Sequence, residues 1–118
     1  MSRAARGARN HAAGLAAEEA AARAYVAAGA AILARRWRCP AGEIDLVVRE
    51  GDCLVFAEVK GRKGPVEDDP VGPTGWRRLE MAAETYMLSA GSGDGPLRLD
   101  LVLVDAAGRA EIIRNARP

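Results

Sequence analysis

The chain has 118 residues, which is enough for one domain with its own hydrophobic core and too few for two. Hydrophobic residues make up 49% of it, but many are alanine, and no apolar run approaches the roughly 20 residues that a membrane span requires. We therefore expect no membrane partner. The formal net charge is +1, so overall charge gives no reason to expect an anionic partner.

The first eleven residues contain three arginines and no continuous apolar stretch, which excludes the pattern of a secretory signal. We predict a flexible basic arm over residues 1–11 and a single domain over residues 12–118. Cys39 and Cys53 lack the spacing of a metal-binding or redox pair, and two reduced thiols fit a reducing compartment. These features predict a cytoplasmic protein.

The predicted elements begin with an alanine-rich helix over residues 12–28, which ends at Gly29. Its larger apolar residues are expected to face the core: Leu15, Ala22, Tyr25 and Val26. The elements that follow are predicted as strands over 31–38, 43–49 and 53–60, a helix over 74–90, and strands over 97–104 and 110–114. This α-β-β-β-α-β-β order predicts an α/β fold with a mixed sheet and helices packed against it.

The second and third strands carry the most informative residues. Gly51 lies between them and can supply the positive φ of a short hairpin turn, which pairs positions whose numbers sum to about 102 or 103. Asp45 then lies opposite residue 57 or 58, so that Asp45 and Glu58 become neighbours. Side chains alternate along a strand, which predicts that Glu43 shares a face with Asp45 and that Lys60 shares one with Glu58.

Two carboxylates about 4 Å apart repel by roughly 4 kcal/mol at an effective dielectric constant of 20, so the arrangement needs a compensating cation. Mg²⁺, or Mn²⁺ in its place, accepts one or two carboxylates together with water and phosphate oxygens. Lys60 would then orient a water molecule or stabilise charge on a phosphate. Asp45, Glu58 and Lys60 therefore form a candidate site for metal-dependent phosphate chemistry.

The alternative is that Glu58 and Lys60 form a solvated ion pair of little energetic value, because the pattern is weak by itself. Two observations favour the site. Glu58 interrupts an apolar run over residues 54–59, where an unpaired acid is costly. Fifteen of the seventeen cations are arginine, yet both lysines, Lys60 and Lys63, follow Glu58 closely. Asp100, on a late apolar strand, is interpreted as a structural acid rather than a site residue.

Five segments together resemble the YraN-like family of uncharacterised bacterial proteins. They are GLAAE at 14–18, ILARRWR at 32–38, AGEIDLV at 41–47, LVFAEVK at 54–60 and LDLV at 99–102. That family is similar to the Holliday-junction-resolvase branch of the PD-(D/E)XK nucleases, which have a restriction-endonuclease-like fold. The resemblance implies Asp45, Glu58 and Glu18 as metal ligands and Lys60 as the catalytic lysine. It places Glu43 next to the site. Related resolvases work as dimers, which leaves a homodimer and a monomer both open for this chain.

The chain departs from the family pattern at Ala17, where glycine is usual, at Arg36, where asparagine is common, and at Gly75, where a basic residue usually opens the second helix. The loop over residues 66–70 is unexpectedly acidic, which would weaken binding to DNA.

We therefore predict a Mg²⁺-dependent nuclease that hydrolyses phosphodiester bonds of nucleic acid, with DNA favoured over RNA and branched DNA as a candidate substrate. The residues expected to contact the phosphate backbone are Arg35, Arg36, Arg38, Arg62, Lys63, Arg77 and Arg78. Two alternatives remain open: a nucleic-acid-binding module of the same fold without catalysis, and a protein-interaction domain in which the acids are structural.

Overall fold

The computed structural model describes the backbone of residues 3–62, 69–90 and 95–118, and within these ranges the side chains from residue 12 onward. The elements are α1 (Arg3–Ala27), β1 (Ala31–Cys39), β2 (Gly42–Glu50), β3 (Cys53–Gly61), α2 (Gly72–Ala90), β4 (Leu97–Val104) and β5 (Ala110–Ile113). The predicted α-β-β-β-α-β-β order is therefore confirmed.

Within the described ranges, the strands form one five-stranded sheet in the order β1-β2-β3-β4-β5. Neighbouring strands are antiparallel except β3 and β4, which run parallel and are connected through α2. Gly51 has a φ of 63° at the β2–β3 turn, as the hairpin requires.

A helix covers each face of the sheet. Buried residues on the α1 face include Ala21, Tyr25, Leu46, Val48, Val55, Ala57 and Val102. Buried residues on the α2 face include Val47, Phe56, Trp76, Leu79, Ala83, Leu101 and Leu103. This arrangement, a mixed sheet between two helices, confirms the predicted fold class and is compatible with a restriction-endonuclease-like core. None of the described helices has the length and apolar character needed to cross a membrane.

Helix α1 differs from its prediction in two respects. It begins at Arg3, so the expected start at residue 12 is wrong and residues 3–11 have a helical backbone. The division into a basic arm and one domain stays a prediction. Leu15 and Val26 are 39% and 58% exposed, because α1 contacts the sheet through consecutive alanines and Tyr25 instead. Methyl-sized side chains let the helix lie close to the sheet and leave larger residues at its margins.

The fully buried Asp100 joins three parts of the fold, which agrees with its interpretation as a structural acid. The Tyr25 hydroxyl donates to Asp100 Oδ2 at 2.7 Å, and Arg98 Nε donates to Asp100 Oδ1 at 2.7 Å. The backbone N–H of Asn115 also donates to Oδ1, at 3.0 Å. These bonds satisfy a carboxylate that would be costly to bury alone, and they tie α1 to β4 and to the C-terminal segment.

Glu50 extends this network to the end of β2. It accepts hydrogen bonds from Arg98 Nη2 at 2.7 Å and from Arg114 Nε and Nη2 at 2.7 and 2.8 Å. The bonds from Arg114, followed by those from Arg98, lower the pKa of Glu50 to about 2. Burial, together with the charge of Asp100, raises the pKa of the Tyr25 hydroxyl above its usual range.

The substitution Tyr25→Phe tests this network. It removes the hydroxyl that donates to a buried carboxylate, so we expect it to lower the free energy of unfolding in urea by about 2 kcal/mol. Tyr86→Phe is the matched control, because the Tyr86 ring packs against Trp37 and Phe56 while its hydroxyl has no hydrogen bond to the described residues. Equal losses in the two variants would contradict a specific role of the Tyr25 hydroxyl.

Candidate metal centre

The antiparallel ladder between β2 and β3 ends at the predicted site. Paired positions sum to 103, from Glu50 with Cys53 to Leu46 with Ala57, which confirms the predicted register. The next pair in this register is Asp45 and Glu58, but here the Val59 backbone N–H donates to Asp45 Oδ2 at 2.8 Å. The Asp45 carboxylate thus accepts the hydrogen bond of a β3 backbone N–H at the point where the ladder between the two strands ends.

The side-chain alternation of β2 changes at the same place. Ile44 is buried in the core on the α2 face, whereas Leu46, only two residues later, is buried on the α1 face. A regular strand would point both residues to one face. The change lies at Asp45, where it leaves a half-buried acid between the two cores.

Three carboxylates converge here from two elements. Glu18 on α1 joins Glu43 and Asp45 on β2, and their ligating oxygens lie within 4.8 Å of one another. The close packing of α1 on the sheet brings Glu18 over the strand. These acids and Glu58 line a cleft of about 400 Å³, which we call the acidic cleft. Its other lining residues are Gly14, Leu15, Arg36 and Arg38.

The carboxyl groups of Asp45 and Glu58 lie close enough for each to influence the pKa of the other, as their converging positions predict. Burial, and next the charge of Asp45, raises the pKa of Glu58 from 4.5 to about 7. Burial also raises the pKa of Asp45, although the hydrogen bond from Val59 opposes that change. The metal-free pair therefore holds a proton up to near neutral pH.

Lys60 lies beside this pair on β3. Its Nζ is 3.8 Å from Glu58 Oε1, and its side chain is 42% exposed. Lys60 and Glu58 line a second cleft of about 430 Å³, which we call the basic cleft. The two clefts share Glu43 and Glu58. The first turns of α2 complete the basic cleft with Thr74, Gly75 and Arg78.

The predicted phosphate-binding residues divide into several groups. Arg36 and Arg38 lie in the acidic cleft. Arg35 contacts Glu19, outside the three-acid cluster, at 2.5 Å. Arg78 lies in the basic cleft and Arg77, beside it, is exposed. The remaining two are Arg62, which lies 3.5 Å from Glu111, and Lys63, which lies outside the described residues.

Asp69, just before α2, has a role that was not predicted from the sequence. Asp69 accepts a hydrogen bond from the buried Trp76 side chain at 2.8 Å and another from the Val71 backbone at 3.1 Å. This acid therefore anchors the start of α2, and an Asp shortly before a helix is the signal that suggests such a role. A Cβ at Gly75 would lie 2.8 Å from Val71 Cγ1, which leaves little room for a side chain there, and Arg78, one turn later, lines the same cleft.

Comparison with other proteins gives a consistent family match. A model described as "Uncharacterised protein family UPF0102" matches residues 17–104, which include all five predicted catalytic residues. A UPF0102 protein of Ruegeria pomeroyi is 44% identical over 115 residues, which covers 96% of this chain and 94% of the relative. For a UPF0102 protein of Streptomyces griseus the identity is 45% over 106 residues, with 85% and 88% covered. For one of Neisseria meningitidis it is 37% over 110 residues, with 90% and 95% covered.

The raised pKa of Glu58 has a measurable effect on stability in the metal-free protein. A carboxyl group whose pKa is higher in the folded state destabilises the fold as pH rises from its unfolded pKa through the folded one. In EDTA, the free energy of unfolding of Glu58→Gln should match that of the parent near pH 5. Near pH 8 it should exceed that of the parent by on the order of 2 kcal/mol. Urea unfolding at the two pH values measures the difference.

Glu84→Gln, an exposed change on α2, is the control and should follow the pH dependence of the parent. If the advantage of Glu58→Gln is the same at both pH values, Glu58 is not protonated in the folded state near neutral pH.

Proposed function

The chain belongs to the uncharacterised protein family UPF0102, the YraN-like family indicated by its motifs, and we propose that it is a metal-dependent nuclease. The proposed reaction is hydrolysis of a phosphodiester bond in nucleic acid, with Mg²⁺ or Mn²⁺ as the cation. Asp45, Glu58 and Glu18 are the proposed ligands, Glu43 an adjacent acid, and Lys60 the catalytic lysine.

The observation that carries this proposal is the convergence of Asp45 and Glu58 where the β2–β3 ladder ends, with Lys60 beside them. A structural role explains this arrangement poorly. Elsewhere in the fold, the buried Asp100 has an arginine at 2.7 Å, whereas Asp45 accepts from an uncharged backbone N–H and the ion pair of Glu58 with Lys60 is longer, at 3.8 Å. Two partly buried acids that lie side by side despite their mutual repulsion are typical of sites that bind a cation or transfer a proton.

The donors present fit a hard divalent cation. All of them are carboxylates, and Mg²⁺ and Mn²⁺ prefer oxygen ligands. A bound cation of this kind stabilises negative charge on a phosphate and lowers the pKa of a water molecule. The raised pKa values of Asp45 and Glu58 support this fit, because burial of the two acids outweighs the opposing effect of the Lys60 charge.

Two cationic side chains of the basic cleft, Lys60 and Arg78, have proposed roles in binding and hydrolysing the phosphodiester. Lys60 is within 4 Å of Glu58 and partly exposed, so its ammonium can orient an attacking water and stabilise charge on the phosphate. Arg78 lies in the same basic cleft and can hold a phosphate by charge. A nucleic-acid backbone would therefore lie on the basic cleft, with its reacting phosphate at the border where Glu58 and Lys60 meet.

A cleavage assay tests the activity. Purified protein is incubated with single-stranded, double-stranded and branched DNA and with RNA, in Mg²⁺, Mn²⁺ or EDTA. We expect cleavage only with a divalent cation, and a loss of at least about 100-fold in rate for Asp45→Asn and Lys60→Met. Comparison of the substrates distinguishes DNA from RNA and branched from linear strands.

Glu19→Gln is the control variant, because Glu19 is adjacent to Glu18 in sequence but pairs with Arg35 outside the cluster. It should retain activity, whereas Glu18→Gln should reduce it. Binding without cleavage under every metal condition would favour the nucleic-acid-binding module instead.

Arg78→Gln tests the proposed phosphate contact. Each contact between a cation and phosphate releases counterions, so we expect weaker binding to all sequences and a reduction of about 1 in the slope of log K against log salt. Fluorescence anisotropy of labelled DNA in EDTA measures it without cleavage.

Arg23→Gln is the matched control for Arg78→Gln, since Arg23 is an exposed arginine of α1 that lies outside both clefts. Its salt dependence should equal that of the parent. If no nucleic acid binds with a salt-dependent affinity, the protein-interaction alternative is favoured.

A further inference from the structure

Arg36 has an unusual backbone for a residue within a strand. Its φ is 50°, a left-handed conformation that non-glycine residues adopt rarely. Ala34 precedes Arg36 and Trp37 follows it, and both pack on the α2 face. Residues three apart point to opposite faces in a regular strand, so the strand is irregular here. The left-handed residue therefore lets Trp37 reach the core while Arg36 turns into the acidic cleft on the other side.

The Arg36 guanidinium lies between two acids of the cluster. Its Nε is 3.7 Å from Glu18 Oε2 and 3.8 Å from Glu43 Oε1. Both distances exceed those of a hydrogen bond, so the guanidinium balances the charge of the acids without being bound tightly to either. Its side chain is 33% exposed, which leaves it a path to solvent.

The neighbouring arginines do not share this position. Among the three clustered acids, Arg38 contacts Glu43 alone, at 3.4 Å, and it is 73% exposed. Arg35 contacts Glu19, which is not one of the three clustered acids. Arg36 is thus the arginine of β1 that contacts two of the three clustered acids.

We infer that Arg36 is a built-in counter-cation that competes with the divalent metal for Glu18 and Glu43. Loading of the metal then requires the guanidinium to leave the acidic cleft. A positive charge and a divalent cation repel one another across these carboxylates, so the presence of Arg36 lowers the affinity of the site. This inference rests on the proposed metal-dependent function and describes how the chain regulates its own site. Arg36 acts through the positive charge that it places beside Glu18 and Glu43, so it is a positioning residue and not a catalytic one.

Isothermal titration of the full chain with Mn²⁺ tests the competition directly, because it measures binding without catalysis. We expect Arg36→Gln to bind Mn²⁺ at least about tenfold more tightly than the parent. Arg36→Lys keeps a positive charge and should bind more weakly than Arg36→Gln. Arg35→Gln removes the same charge one residue away, and its affinity for Mn²⁺ should stay within about twofold of that of the parent.

A second variant protects the test against a change in folding. Arg36→Gly suits the positive φ of this position and also removes the charge, so it should bind Mn²⁺ as tightly as Arg36→Gln. Unchanged or weaker binding in both neutral variants would overturn the inference, because it would show that Arg36 supports the site instead of competing for it.

The same titration separates this inference from the proposed function. If Asp45→Asn abolishes Mn²⁺ binding while the Arg36 variants match the parent, the metal site stands and the competition is wrong. If the parent does not bind Mn²⁺, or if Asp45→Asn binds it equally well, the metal-dependent function fails and the inference fails with it.

Discussion

The hydrogen bond from the Val59 backbone to the Asp45 carboxylate determines the geometry of the site. Strand β3 stays paired with β4 as far as Gly61, whereas its ladder with β2 ends at Ala57. The two strands therefore separate beyond Leu46 and Ala57, while β3 keeps its parallel partner and β2 stays paired with β1. In the gap between β2 and β3, the Asp45 carboxylate replaces the β2 carbonyl as the acceptor for the Val59 N–H. This stabilises the gap, because buried backbone donors are rarely left unpaired. Glu58 borders this gap, which explains why it lines both clefts.

Two groups of charged residues in this small fold differ in how tightly they are paired. Arg98 and Arg114 approach Glu50 to 2.7 Å, and the pKa of that acid falls to about 2. The arginine–carboxylate distances in the acidic cleft are longer, between 3.4 and 3.8 Å, and burial raises the pKa of Glu18. The first group stabilises the fold because each charge is satisfied. The second keeps its acids incompletely satisfied, which is the state from which a cation can be bound.

Periodicity and turn chemistry predicted the elements and the register of the hairpin, because Gly51 constrains the turn and a register change would expose the apolar face. They did not predict the change of faces at Asp45 or the left-handed Arg36, since no local signal requires either. The buried face of α1 was predicted only in part, since Ala22 and Tyr25 are buried but Leu15 and Val26 are exposed. A helix of alanines has only a weak apolar stripe, so tertiary contacts decide which side is buried. The proximity of Asp45 to Glu58 was predictable from the hairpin register, whereas Glu18 was indicated only by the family resemblance, and the role of these acids as metal ligands stays a prediction.

The position of α2 links the core to the proposed substrate surface. Trp76 is 2% exposed in the core, and its indole N–H donates to Asp69 at the start of the helix. This bond fixes the loop end of α2 relative to the sheet, and Arg78 is carried by the same turns. The cation that would hold a phosphate is therefore positioned by a buried aromatic residue and not by the loop. If the protein binds nucleic acid as proposed, the acids of the other cleft would repel an anion, and a phosphate would be directed to the border at Glu58, where Lys60 lies beside the acids.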